Sequence, residues 1–171
     1  MAENGDALEP GTVQVVRAIL SPGDMAVDVG SNVGAILLPM ASAVGPSGGT
    51  VAIEPTPRCV DALRKTIAIN GLSGQCHVIS CAVGAQSGTA TLHLGATLTH
   101  NSLHAFPSAE GSVEVPVETL DNLIAKDRTP ALIKIDVEGA ELDVLTGMRG
   151  IIDRSPHLAL IVEFGQSHLE K

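Results

Sequence analysis

Apolar residues along the chain fall into two periods. Met25–Val29, Gly49–Glu54, His77–Val83, Ala131–Ile135 and Leu158–Glu163 are short runs rich in β-branched residues, bounded by glycine, proline or polar residues, as buried strands are. Between them the spacing is helical: Gly11–Leu20 carries Val13, Val16, Ala18 and Leu20, and Ala35–Ala43 is rich in helix formers. Arg58–Asn70 repeats Val60, Leu63 and Ile67 and meets a glycine stop at Gly71. Thr119–Lys126 reads as a short helix, and after Glu141 the residues Leu142, Leu145 and Met148 keep helical spacing and are assigned to the core. Thr89–Leu94 and Ser112–Val117 alternate polar and apolar, as sheet-edge strands do, and Pro116 suits an edge. The polar segment Gly95–Gly111 between them has no period, and its length points to a functional loop.

Strands alternating with helices predict an α/β fold with a doubly wound, mostly parallel sheet. One domain is expected over residues 1–171: a helix and lead-in at 1–24, a ligand-binding core at 25–165 and a tail at 166–171. Ligands of such sheets lie beyond the carboxyl ends of the strands. Asp28, Glu54, Asp136 and Glu163 all occupy such ends, which places four acids on one rim.

The stretch Asp28-Val29-Gly30-Ser31-Asn32-Val33-Gly34 joins the first strand to the first long helix. Gly30 and Gly34 remove side chains where the backbone must turn sharply and approach a ligand. Their G-x-x-x-G spacing departs from the dinucleotide fingerprint, because Asn32 stands at the middle glycine, so a pyrophosphate is disfavoured. Asp28 is a candidate acceptor for a ligand's ammonium or hydroxyl group. A plain βα turn would use the same glycines. Roughly 20 residues on, Glu54 stands where α/β nucleotide folds bind ribose hydroxyls.

Composition narrows the classes. With 171 residues, 44% of them hydrophobic, the chain can bury one core. A net charge of −9, only ten Lys and Arg, two Phe and no Tyr or Trp argue against nucleic acid as a partner. Cys59, Cys76 and Cys81 are odd in number and lack C-x-x-C spacing, as expected of reduced thiols in the cytoplasm. No run approaches the ~18 apolar residues of a membrane helix, and the acidic opening Met1–Glu9 does not read as a signal peptide, so no membrane is expected.

Seven stretches together resemble the FkbM-type S-adenosylmethionine-dependent methyltransferases: VDVGSNVG (27–34), AIEPTP (52–57), the helix end LRKTIAINGL with Asn70, CAVG (81–84), ETLDNLI (118–124), IKIDVEGAELDVLTG (133–147) and LIVEF (160–164). The KIDVEGAE segment is the specific one. The resemblance implies a Rossmann-like core in which Asp28, Gly30, Ser31, Asn32 and Gly34 cradle the methionine part of S-adenosyl-L-methionine. Glu54, with Pro55 beside it, would hold the ribose, and Cys81 and Ala82 would flank the adenine, packed on aliphatic side chains. Asp136 would face methyl donor and acceptor, with Glu138 and Glu141 beside it. This fold ordinarily adds a helix and an antiparallel hairpin after the fifth strand. Their absence here implies a truncated or minimal member, or a partner chain that completes the sheet.

Methyl transfer is an in-line displacement, so the protein must chiefly align acceptor and methyl and take a proton from a hydroxyl acceptor. Asp136 is the candidate base or orienting group, Glu138 its neighbour, and Lys134, which alternates with Asp136 on one strand face, its ion partner or a rim charge. Glu138 and Glu141 would also suit the first turn of a helix as acids favoured by its dipole. His100 and His104 lie four apart with His93 upstream, but the segment does not read as a helix, so they suit acceptor contact better than a metal, and no metal is expected. His77 and His157 are assigned structural roles. The predicted activity is O-methylation of a small hydroxylated acceptor such as a sugar or polyketide hydroxyl, with a homo-oligomer left open. The alternatives are a nicotinamide-dependent oxidoreductase and a non-catalytic cofactor-binding module that needs a partner chain.

Overall fold

The computed structural model describes residues 9–96 and 101–164. Five strands form a parallel sheet: β1 (Met25–Val29), β2 (Gly49–Ile53), β3 (Cys76–Ile79), β8 (Leu132–Ile135) and β9 (Ala159–Val162), ordered β3-β2-β1-β8-β9. β1 sits at the centre, with Asp28 opposite Ala52 on one side and Lys134 on the other. Burial on both faces explains the near-continuous apolar runs of these strands.

On one face, α1 (Pro10–Ile19), α2 (Leu37–Val44) and α3 (Pro57–Ile69) pack Val13, Val16, Met40, Val44 and Leu63 against Ala26, Leu132 and Ala52. On the other, Val27, Val29, Ile53, Ile133 and Ile135 meet α4 (Leu120–Leu123), α5 (Glu141–Thr146) and α6 (Arg149–Arg154) through Leu120, Val144, Met148 and Ile151. Side chains alternate across a strand, so Asp28 shares the face of Ala26, beneath α1 and α2. Asp121 joins α4 to α6, its carboxylate accepting the Gly150 and Ile151 amides at 2.8 Å each.

A second sheet was not foreseen. β4 (Ala82–Val83), β5 (Gly88–Leu94), β6 (Asn101–Ser102) and β7 (Gly111–Glu118) form it in the order β4-β7-β5-β6. The expected strand His77–Val83 is therefore two: pairing with β2 ends at Ile79, and Ala82 opens a parallel pair with Val117. β5 and β7 are inner strands rather than edges. Their alternation arises because one face packs a small core of Ala82, Leu92 and Val115 while the other meets solvent. At Pro116 the strand has a neighbour on one side only, since β4 reaches just Val117 and Glu118. Leu142 is a further correction: the buried stripe of this segment runs through Glu141, Val144 and Met148, which leaves Leu142 71% exposed.

Candidate functional site

The parallel ladders carry three acids to one rim. Beyond the last paired residues, the Glu54, Asp136 and Glu163 amides donate to Ile79, Val29 and Ile135 carbonyls at 3.1, 3.0 and 3.0 Å. The glycine loop is tied to the same rim, because the Gly30 and Ser31 amides both donate to the Ile53 carbonyl, at 2.9 and 3.1 Å. Gly30 has φ +79°, and a Cβ there would stand 1.8 Å from the Asp136 carbonyl oxygen. The glycine is thus demanded by neighbouring backbone as well as by any ligand.

Glu54, 6% exposed, organises the loop: Oε2 accepts the Asn32 amide at 3.0 Å and Oε1 the Thr56 amide at 2.8 Å. Burial raises its carboxyl above the usual range although both amides oppose this. Each oxygen retains a lone pair, so the carboxylate can still accept a ligand hydroxyl. Ser31 turns inward, its hydroxyl donating to the Asp28 carbonyl at 2.6 Å, and Gly34 packs on Leu63.

Asp28 is 1% exposed, and among the described residues its Oδ1 has no hydrogen-bond partner. Burial pushes its carboxyl up to about 6, Asp136 adding to the rise and Lys134 opposing it. Lys134 is also buried, with Nζ 2.9 Å from Asp136 Oδ2. Desolvation would lower the ammonium's pKa, but Asp28 and Asp136 together outweigh it and hold it above the usual value. The Asp136 side chain stays 27% exposed. Glu9, Asp136 and Glu163 bring carboxylate oxygens within 4.8 Å of one another, and Asp136, followed by burial, raises Glu163. The rim is strongly anionic, with Lys134 embedded in it.

The turn after β8 has an unusual backbone. Glu138 (φ +54°) and Gly139 (φ +107°) are both left-handed, a conformation that costs about 1–2 kcal/mol at a residue with a Cβ. Glu141, 3% exposed, accepts the Gly139 amide on Oε1 at 2.9 Å, so its carboxylate braces this turn. From the second sheet, Ser102 Oγ donates to the Glu138 carbonyl at 2.8 Å, and His104 Nε2 lies 3.1 Å from the Gly139 carbonyl.

These elements border a groove of about 660 Å³ counting its open mouth. Of the residues singled out in the sequence, Gly30, Asn32, Glu54, Pro55, Cys81, Ala82, Asp136 and Glu138 line it. Asp28, Ser31, Gly34 and Lys134 are not among its lining residues. Val83, Leu92, Asn101 and Leu103 line it without having been anticipated. The aperiodic length of Gly95–Gly111 was the signal that pointed towards the last two. His93 pairs across β5 with Ser102 and Ser112, His77 and His157 are exposed, and His100 lies outside the described residues. Burial pushes the Cys59 and Cys81 thiols up to about 11.

Comparison with known proteins gives this geometry its relatives. The family model described as the methyltransferase FkbM domain matches residues 28–171. Methyltransferase sdnD of Sordaria araneosa is 29% identical, the match covering 71% of this chain and 59% of that protein. The hexuronic acid methyltransferase AglP of Haloferax volcanii is 30% identical, over 81% of this chain and 56% of its own length. The chain thus spans a little over half the length of either curated relative. A crystal structure of an FkbM methyltransferase from Methylobacillus flagellatus KT superposes with a TM-score of 0.59 at 19% identity, covering 86% of this chain and 39% of that one.

Proposed function

The chain belongs to the FkbM methyltransferase family, and from that premise we propose that it methylates an oxygen of a small hydroxylated acceptor with S-adenosylmethionine as donor. The observation that carries this proposal is the convergence of the glycine loop, Glu54, Cys81–Ala82 and Asp136 on one groove, although they are far apart in sequence. The residues suit the cofactor. Glu54 can take the ribose hydroxyls, the aliphatic walls at Ala82 and Val83 can take the adenine, and the buried Asp28 Oδ1 lacks a hydrogen-bond donor where an ammonium group would supply one.

When bound, S-adenosylmethionine supplies an electrophilic methyl group on its sulfonium. The chain's own groups do the rest. Lys134 fixes Asp136 through Oδ2, so its carboxylate is held for an acceptor hydroxyl, to orient it and to receive its proton. Glu138 offers a second carboxylate on the same wall. Because Glu54, Asp136 and Glu138 line the groove while Lys134 is engaged by Asp136 and Asp28, a neutral polyol or sugar hydroxyl is favoured over an anionic acceptor.

The test is isothermal titration of the chain with S-adenosylmethionine and, separately, with NAD, repeated for Glu54→Ala and Asp28→Ala. The expected result is a dissociation constant on the order of 1–100 μM for S-adenosylmethionine alone, weakened at least tenfold in both variants. Tighter binding of NAD, or variants that bind S-adenosylmethionine like the parent, would overturn the assignment.

A further inference from the structure

The turn that presents Asp136 and Glu138 to the groove is held from outside by two side chains of a two-residue strand and its exit. Ser102 Oγ donates to the Glu138 carbonyl and accepts the His104 amide at 3.1 Å, so one hydroxyl ties strand and turn together. His104 Nε2 bonds the next carbonyl, that of Gly139. A carbonyl only accepts, so the ring must carry its proton on Nε2. The two bonded carbonyls belong to the two left-handed residues of the turn, where chain geometry alone would least fix the backbone. One short segment serves two purposes: Asn101 and Leu103 line the groove, while Ser102 and His104 reach the turn.

We propose that Ser102 and His104 are positioning residues for methyl transfer: they lock the 138–139 turn so that Asp136 and Glu138 keep one arrangement in the groove. This rests on the methyl-transfer function proposed for that groove. It couples the second sheet to the rim of the parallel one, so the inserted sheet acts on the site through backbone as well as by forming its wall. Residues that meet neither cofactor nor acceptor would then control how well both are held.

The experiment uses the full chain with Ser102→Ala, Ser102→Thr, His104→Ala and His104→Gln. Threonine keeps the hydroxyl, and glutamine keeps a donor at a similar reach. Hydrogen–deuterium exchange reads the clamp directly and needs no ligand. Exchange across residues 136–141 is expected to accelerate at least fivefold in both alanine variants and to return towards the parent rate in Ser102→Thr and His104→Gln. Titration with S-adenosylmethionine reads the consequence, an affinity roughly three- to tenfold weaker in the alanine variants with rescue in the conservative ones. Unchanged exchange across 136–141 overturns the clamp. Accelerated exchange with unchanged affinity overturns its positioning role. If the parent chain binds no S-adenosylmethionine, the methyl-transfer assignment fails, and the exchange measurement still decides whether the clamp exists.

Discussion

Replacing Asp28 by asparagine removes a buried charge while nearly keeping its shape, and the consequence should depend on pH in a defined way. The Asp28 carboxyl titrates at about 6 in the folded protein, against 3.8 for an unburied aspartate. Between those values the folded state keeps a proton that the unfolded chain has released. Stability therefore falls as pH rises through this window, with the advantage complete below the unfolded value and gone above the folded one. Two pH units and a little more, at about 1.4 kcal/mol per unit, give a loss of about 3 kcal/mol. That is a large share of the ~5–15 kcal/mol by which domains are stable. Lys134, held above its usual value, is protonated in both states across this range and adds no slope. Asp28→Asn should therefore gain about 3 kcal/mol relative to the parent between pH 4 and pH 7, with the other acids largely cancelling in the difference. Urea unfolding at several pH values gives both curves, followed by circular dichroism because the chain has neither Trp nor Tyr. Parallel curves, or a difference that shrinks as pH rises, would refute the reasoning. Saturating S-adenosylmethionine should flatten the parent's slope, since an ammonium beside Asp28 would favour its ionised form.

Gly30→Ala should lose at least ~3 kcal/mol and about 10 °C of melting temperature, because the new Cβ would meet the Asp136 carbonyl at 1.8 Å and the residue would keep φ at +79°. A variant that melts within ~2 °C of the parent would show that the rim can open without cost. Asp121→Ala should cost about 1–2 kcal/mol by uncapping α6, measured by urea unfolding, while S-adenosylmethionine titration stays unchanged because Asp121 is remote from the groove. Thiol labelling at pH 8 should be slow at Cys59 and Cys81 in the native protein and fast for all three cysteines in urea, since burial holds both thiols near 11.

The main sheet was legible because its strands are buried on both faces, and such strands announce themselves as apolar runs bounded by turn residues. Met25–Val29 came out with its observed limits, and three of the four expected rim acids stand just past strand ends, whereas Asp28 is buried within β1. The second sheet was hidden by a local ambiguity: an alternating strand looks the same at a sheet's edge as in the middle of a small one-sided sheet. Only pairing partners distant in sequence separate the two cases. The apolar wall at Leu92 was missed for the same reason, and Leu142 because helical spacing alone does not say which side of the helix is buried, a side that Glu141, Val144 and Met148 take. The sequence assigns Asp28 and Glu54 to ligand contact, and the folded chain shows structural duties for both, Glu54 bonding two loop amides and Asp28 lying buried beside Lys134. Such structural duties leave no mark in residue spacing.

The register that places Ala26 of β1 opposite Leu132 of β8 has a consequence in time. The central strand of the sheet cannot acquire this neighbour until the ribosome or the refolding chain has passed through about a hundred intervening residues, including the whole inserted sheet. Closing so long a loop adds modestly to the entropic cost but slows the encounter, as high contact order generally does. β1 can pair with β2 early, across about 24 residues, so the glycine loop and Glu54 are available to meet first. Asp136, which arrives with β8, completes the site last. Chains interrupted during synthesis would then carry the residues assigned to cofactor binding without the carboxylate assigned to catalysis, and the arrival of β8 sets the moment at which binding and chemistry are joined.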